Sequence, residues 1–253
     1  MTDKPAIIVR NLVKHYRDVV AVDDVSFHVP RGSITALLGG NGAGKTTTIA
    51  MLLGALIPTS GAIEINGEDM LKDRYKALPR MNFSSPYVDL PKKLTVRENL
   101  KIYGRLYGVK NIKAAIEQLT ADLDLGDFID RQLGRLSAGQ QTRVALAKSL
   151  VNAPDVLLLD EPTASLDPDV ADRLRGYLDR VRRSRNMTIL MASHNMREVE
   201  KLCGYVLMMK KGKLVDQGTP SELVARYGRR DLEEVFLDIA RGTSVNDPER
   251  KAS

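Results

Sequence analysis

The stretch Gly39-Gly40-Asn41-Gly42-Ala43-Gly44-Lys45-Thr46-Thr47 decides the fold. It fits the pattern G-x-x-x-x-G-K-[ST], and its flanks supply the context that pattern requires. Ile34-Thr35-Ala36-Leu37-Leu38 before it is an apolar run of strand length, and residues 45–53 after it read as a helix with an apolar face. A strand that turns through glycines into a helix aims successive backbone N–H groups at one point beside the positive end of the helix, which makes a receptacle for phosphate. Gly39, Gly42 and Gly44 permit backbone conformations and close approaches that a Cβ would obstruct. Gly40, Asn41, Ala43 and Thr47 complete the cradle, Lys45 reaches β- and γ-phosphates, and the Thr46 hydroxyl is placed to ligate Mg²⁺. A glycine-rich turn that happens to contain Lys-Thr is the alternative, and the strand-to-helix context argues against it.

With 253 residues and 43% hydrophobic content the chain can bury a sizeable core as one α/β domain or two small ones. No stretch approaches the ~18 consecutive apolar residues of a membrane span, and MTDKPAIIVR lacks the apolar core of a signal peptide, so a cytosolic chain is expected. The single cysteine, Cys203, excludes an intramolecular disulfide and any multi-cysteine metal site, and it is expected half-buried on a helix. A net charge of +6 permits contact with nucleic acid or an anionic membrane but requires neither. Arg180, Arg182, Arg183 and Arg185 read as a solvated helix face, and 5% aromatics without tryptophan leaves few stacking platforms for single strands.

Along the chain, residues 6–38 alternate β-branched and polar positions and 62–66 add a short strand, suggesting an antiparallel layer at the front. From about 92 to 150 the pattern is helical, opened by Thr95 as a candidate N-cap with Glu98 three residues on. Val156-Leu157-Leu158-Leu159 and Thr188-Ile189-Leu190-Met191 are continuous apolar runs, as in parallel strands buried on both faces. A hairpin follows over 205–215, then two helical segments, and residues 243–253 have the composition of a disordered tail. The expected fold is α/β: a parallel-sheet core with an N-terminal antiparallel β layer and a helical insertion.

Asp160 and Glu161 stand at the end of the second apolar strand, where α/β proteins place ligand chemistry. Two adjacent carboxylates there suggest divided labour, with Asp160 holding Mg²⁺ and Glu161 deprotonating the water that attacks the γ-phosphate. A strand-end acidic pair capping the next turn is the alternative.

LSAGQ (136–140), QTRVALAKSL, DVLLLDEPTASLDP (155–168) and SHN (193–195) follow the phosphate loop in an order and spacing that resemble an ABC-family ATPase, a P-loop NTPase, over residues 6–240. The resemblance implies one ABC-type domain over 1–242. It further implies that Ser137, Gly139 and Gln140 of the signature meet the γ-phosphate held by a second subunit, and that Asp167 contacts that subunit. His194 matches the family's switch histidine, whose neutral imidazole hydrogen-bonds the γ-phosphate, and Tyr16 the aromatic that stacks on adenine. Ala138 replaces a more usual glycine. The family also carries a glutamine ahead of Thr95 that touches Mg²⁺; near Ser85 and Pro86 this chain has none, so a slower or differently gated ATPase is expected.

DLEEVFLDIA (231–240) is similar to the C-terminal helix of drug and polysaccharide exporter ATPases, although any amphipathic packing helix shows the same spacing. The resemblance therefore implies an ATP- and Mg²⁺-dependent subunit of an exporter, dimerising around two ATP molecules. It would be held at the cytoplasmic face of the membrane by a transmembrane permease subunit, with no direct nucleic-acid contact. Phe83, Tyr87, Val88 and Leu90, flanked by Lys92 and Lys93, are the candidate docking cluster, with a core role as the alternative. A soluble ABC-type ATPase acting on DNA or ribosomes is the rival; only about 90 residues separate Gly44 from Leu136, too few for the long coiled coils of chromosome-maintenance members. An adaptor that binds ATP without hydrolysing it is a third reading.

Overall fold

The computed structural model describes residues 4–85, 89–163 and 166–241. β1 (Ile7–Tyr16) and β2 (Val19–Val29) form a long antiparallel hairpin. β3 (Ile34–Gly39) then leaves for a second sheet and runs through the phosphate loop into α1 (Lys45–Leu52). β4 (Ser60–Ile65) returns to the free edge of β1 and carries β5 (Glu68–Asp69), giving the front layer the order β2-β1-β4-β5. Of the segment 6–38, the last strand thus belongs to the core and the first two to the front layer.

After α2 (Arg74–Ala77) comes β6 (Met81–Ser84), an edge strand that the sequence did not lead us to expect. The helical region holds α3 (Val96–Leu106), α4 (Ile112–Asp122) and α5 (Ala138–Leu150). Its entry is fixed by a capping box at α3, in which the Thr95 hydroxyl accepts from the Glu98 N–H while the Glu98 carboxylate accepts from the Thr95 N–H.

The chain then returns to the core with β7 (Val156–Asp160), α6 (Pro168–Arg185), β8 (Thr188–Ser193), α7 (Met196–Leu202), β9 (Tyr205–Lys210), β10 (Lys213–Gly218), α8 (Pro220–Tyr227) and α9 (Leu232–Arg241). The core sheet has the order β10-β9-β3-β8-β7-β6, parallel except for the β9–β10 hairpin. On α6, Arg180, Arg183 and Arg185 are exposed as a solvated face should be, whereas Arg182 is half-buried, paired with Asp179 and donating to the Gly32 carbonyl at 3.0 Å. Cys203 corrects an expectation: it follows α7 and is 5% exposed, buried rather than half-buried, and its burial pushes the thiol up.

The alternation of core strands explains why both their faces are apolar. Leu38, Leu159, Met191 and Met208 pack toward the helices, while Leu37, Leu158, Leu190 and Leu207 pack toward the front layer. Each fully buried aliphatic side chain is worth about 1.5–3 kcal/mol relative to exposure, so a sheet covered on both sides is a rigid base for whatever its strand ends carry.

Candidate active site

The parallel strands deliver their carboxyl ends to one edge in register. Leu38 lies opposite Ser193, Asp160 opposite Ala192, and Ser84 opposite Leu159. The phosphate loop, the acidic pair, the Ser193-His194 segment and Ser85 therefore project from neighbouring strands, about 4.8 Å apart. Gly44, at the start of α1, has φ 101°, and a Cβ there would lie 2.6 Å from the Ala21 carbonyl. Gly42 has φ 74° with open space around it, so its requirement is purely conformational. The first turn of α1 has no acidic residue and no side-chain cap, which leaves its N–H groups for an anion.

Lys45 donates from Nζ to the carbonyls of Gly39 at 2.6 Å and Gly40 at 3.1 Å. Desolvation lowers its pKa, opposed by the charges of Glu161 and Asp160. Asp160 is 6% exposed; burial and the neighbouring Glu161 raise its pKa, opposed by Lys45 and by a hydrogen bond with the Ser85 side chain. Glu161 sits at φ 49°, its N–H donating to the Ala192 carbonyl at 2.9 Å, and its carboxylate meets His194 Nδ1 at 2.6 Å. With the carboxylate ionised, Nδ1 carries the proton and a neutral ring offers Nε2 as an acceptor.

Other sequence candidates stand apart. Ser137 and Gln140 form a capping box at the start of α5, and no described hydrogen bond joins them or Gly139 to the phosphate loop. Asp167 starts α6 without capping it through its side chain. Tyr16 is 47% exposed at the tip of the first hairpin, with Lys14 Nζ 5.2 Å from its ring centre.

A family model described as ABC transporter matches residues 22–164. The chain belongs to that family. It is 38% identical over 229 residues to Nod factor export ATP-binding protein I of Paraburkholderia xenovorans (strain LB400), covering 88% of this chain and 74% of that protein. It is 36% identical over 230 residues to the ABC transporter ATP-binding protein NatA of Bacillus subtilis (strain 168), covering 89% and 93%. A solved ATP-binding subunit of an ABC transporter superposes with a TM-score of 0.85 at 25% identity, covering 93% of this chain and 99% of that one.

A Mg²⁺ ion brought to this ABC cassette by ATP would find a fitting donor set. Among the described residues no cluster of three or more acidic, His or Cys side chains could hold a metal alone. Mg²⁺ binds through one or two hard oxygen ligands plus substrate phosphates, which is what the Thr46 hydroxyl and the Asp160 carboxylate offer. Pro86 lies outside the described residues; Ser85, beside it, is 5% exposed and engaged with Asp160.

Glu198 carries no signal in the sequence, where it is one of two glutamates in the short charged helix α7. It is 3% exposed, accepting from the Thr163 hydroxyl at 2.7 Å and the Ser193 hydroxyl at 3.2 Å, so it ties the segment after Glu161 to the one before His194. Its pKa is raised chiefly by desolvation. Glu198→Ala leaves two hydroxyls without their acceptor and should cost about 2–3 kcal/mol in urea unfolding; parental stability would show that water replaces the carboxylate.

Of the docking cluster expected from sequence, Leu90 is corrected to the core role that was the alternative, while Phe83 is half-buried and lines an apolar groove. Leu90 is 5% exposed and belongs to the core of the helical region, and Phe83 packs against the core on the other side of the sheet. Tyr87 and Val88 lie outside the described residues. Among the described residues, this apolar groove of about 630 Å³ lies between the core and the helical region, lined by Leu53, Tyr75, Leu78, Phe83, Leu106 and Tyr107 among others. Tyr75 and Leu106 on its rim are 74% and 71% exposed. The tail helix α9 packs through buried Leu232 and Val235, and the Leu232 N–H donates to Glu200 at 2.6 Å.

Proposed function

We propose that this ABC cassette is the ATP-hydrolysing subunit of a membrane exporter and works as a dimer that closes around two ATP molecules. The observation that carries the chemistry is the contact of Glu161 with His194, set beside Asp160 at the end of β7 and near Lys45 at the start of α1. The loop amides of residues 39–47 cradle the phosphates, and Lys45 exchanges the Gly39 and Gly40 carbonyls for phosphate oxygens. Glu161 takes one proton of the attacking water, and His194 holds that carboxylate in place through Nδ1–H while its Nε2 lone pair is free to accept from the same water's other hydrogen. Thr46 and Asp160 would hold Mg²⁺, which when bound neutralises phosphate charge. Tyr16 stacks on adenine.

One chain leaves Ser137, Gly139 and Gln140 with no phosphate to meet, which supports a second copy whose signature closes on this nucleotide while Asp167 contacts it. Export is supported by the name of the Paraburkholderia relative, an export ATP-binding protein, and a membrane partner by the groove. No helix among the described residues is long and apolar enough to cross a membrane, so such a partner would supply the span. The groove-rim variant Leu106→Asp should release the chain from native membranes, since interface anchors commonly contribute about 2 kcal/mol or more. Sedimentation of the native protein wholly with ribosomes or DNA would overturn the exporter reading.

A further inference from the structure

Lys148, near the end of α5, is 7% exposed at the floor of the apolar groove. Its ammonium donates to the Phe83 carbonyl at 3.3 Å, a long contact, and sits 5.3 and 5.7 Å from the ring centres of Tyr103 and Tyr107. No carboxylate among the described residues comes within ion-pair distance of it. An ammonium has three donors, and among the described residues one carbonyl and two aromatic faces compensate its loss of water. Desolvation accordingly lowers its pKa.

Packing alone does not account for a charge here. A methionine would fill the same space between two tyrosines without the desolvation cost, and replacing buried charges by apolar groups is often neutral or stabilising. The ammonium makes sense if it receives its counter-charge from outside, across the groove that lies open above it. The rim supplies apolar contact through Tyr75 and Leu106, and the floor supplies one buried positive charge. We infer that the groove receives an apolar segment of the membrane partner bearing one carboxylate, which pairs with Lys148. This rests on the docking reading above and adds the chemistry of the occupant. A fully apolar segment would leave the ammonium sealed and unpaired, and a basic one would be repelled.

The test uses the purified full chain and native membranes stripped of peripheral proteins with urea. Lys148→Met should keep or raise the thermal midpoint yet weaken rebinding about thirtyfold or more, because the partner's carboxylate would be buried without its cation. Lys148→Arg should bind better than Lys148→Met. Independently of any variant, a zero-length carbodiimide should join Lys148 to an Asp or Glu of an integral membrane protein, mapped by peptide mass spectrometry. Loss of rebinding in Leu106→Asp, with parental rebinding in Lys148→Met and no crosslink at Lys148, would overturn the inference and leave the docking reading standing. Parental rebinding of both variants would overturn the two together.

Discussion

Glu161→Gln should lower ATP hydrolysis by about 10² to 10⁴, the range that removal of a general base typically costs, while ATP still binds. The substitution is nearly isosteric, so the backbone bond from Glu161 N–H to Ala192, which holds the residue in its left-handed conformation, is undisturbed. The amide oxygen still accepts from His194 Nδ1, so the ring keeps its anchor. What is lost is the capacity to take a proton from water. Removing one of two adjacent negative charges also relieves repulsion against the triphosphate, so binding should hold or tighten. Steady-state phosphate release together with nucleotide titration separates the two effects; hydrolysis at the parental rate would move the base to another residue.

Lys45→Ala acts on binding instead. Among the described residues, the Lys45 ammonium is the cation placed near both carboxylates and against the glycine carbonyls of the loop. A hydrogen bond to a charged group is worth about 1.5–3 kcal/mol, and its removal also leaves Asp160 and Glu161 facing the phosphates without a counter-charge. ATP affinity should fall by about a hundredfold or more, measured by calorimetric titration, with the fold intact because Lys45 is anchored to its own loop rather than to the core. Affinity within a few fold of the parent would mean that the backbone amides alone carry phosphate recognition.

Much of this site is legible in the sequence because its parts are local. The phosphate loop is nine contiguous residues, and Asp160-Glu161 and Ser193-His194 each follow a strand whose apolar run is unbroken. Parallel pairing then sets them side by side without further information. The capping boxes at Thr95 and Ser137 are equally local. What the sequence concealed depends on distant partners. β6 is a four-residue edge strand whose Asn82 is buried because it bonds Asn152, and no alternation announces it. Leu90 and Leu106 look alike as residues, yet one enters the helical core and the other stands on a groove rim. Glu198 and Lys148 are charged positions on helices, where charge ordinarily means solvent, and only the packing reveals them as buried.

The central claim is that one chain holds half of each active site and a second copy completes it. Sedimentation velocity of Glu161→Gln measures this directly. With ATP the protein should sediment as a dimer and with ADP as a monomer, and adding Ser137→Arg, which blocks the signature without touching the phosphate loop, should return the ATP-bound protein to monomer. A monomer under every nucleotide condition, or a dimer indifferent to both ATP and Ser137→Arg, would contradict the account.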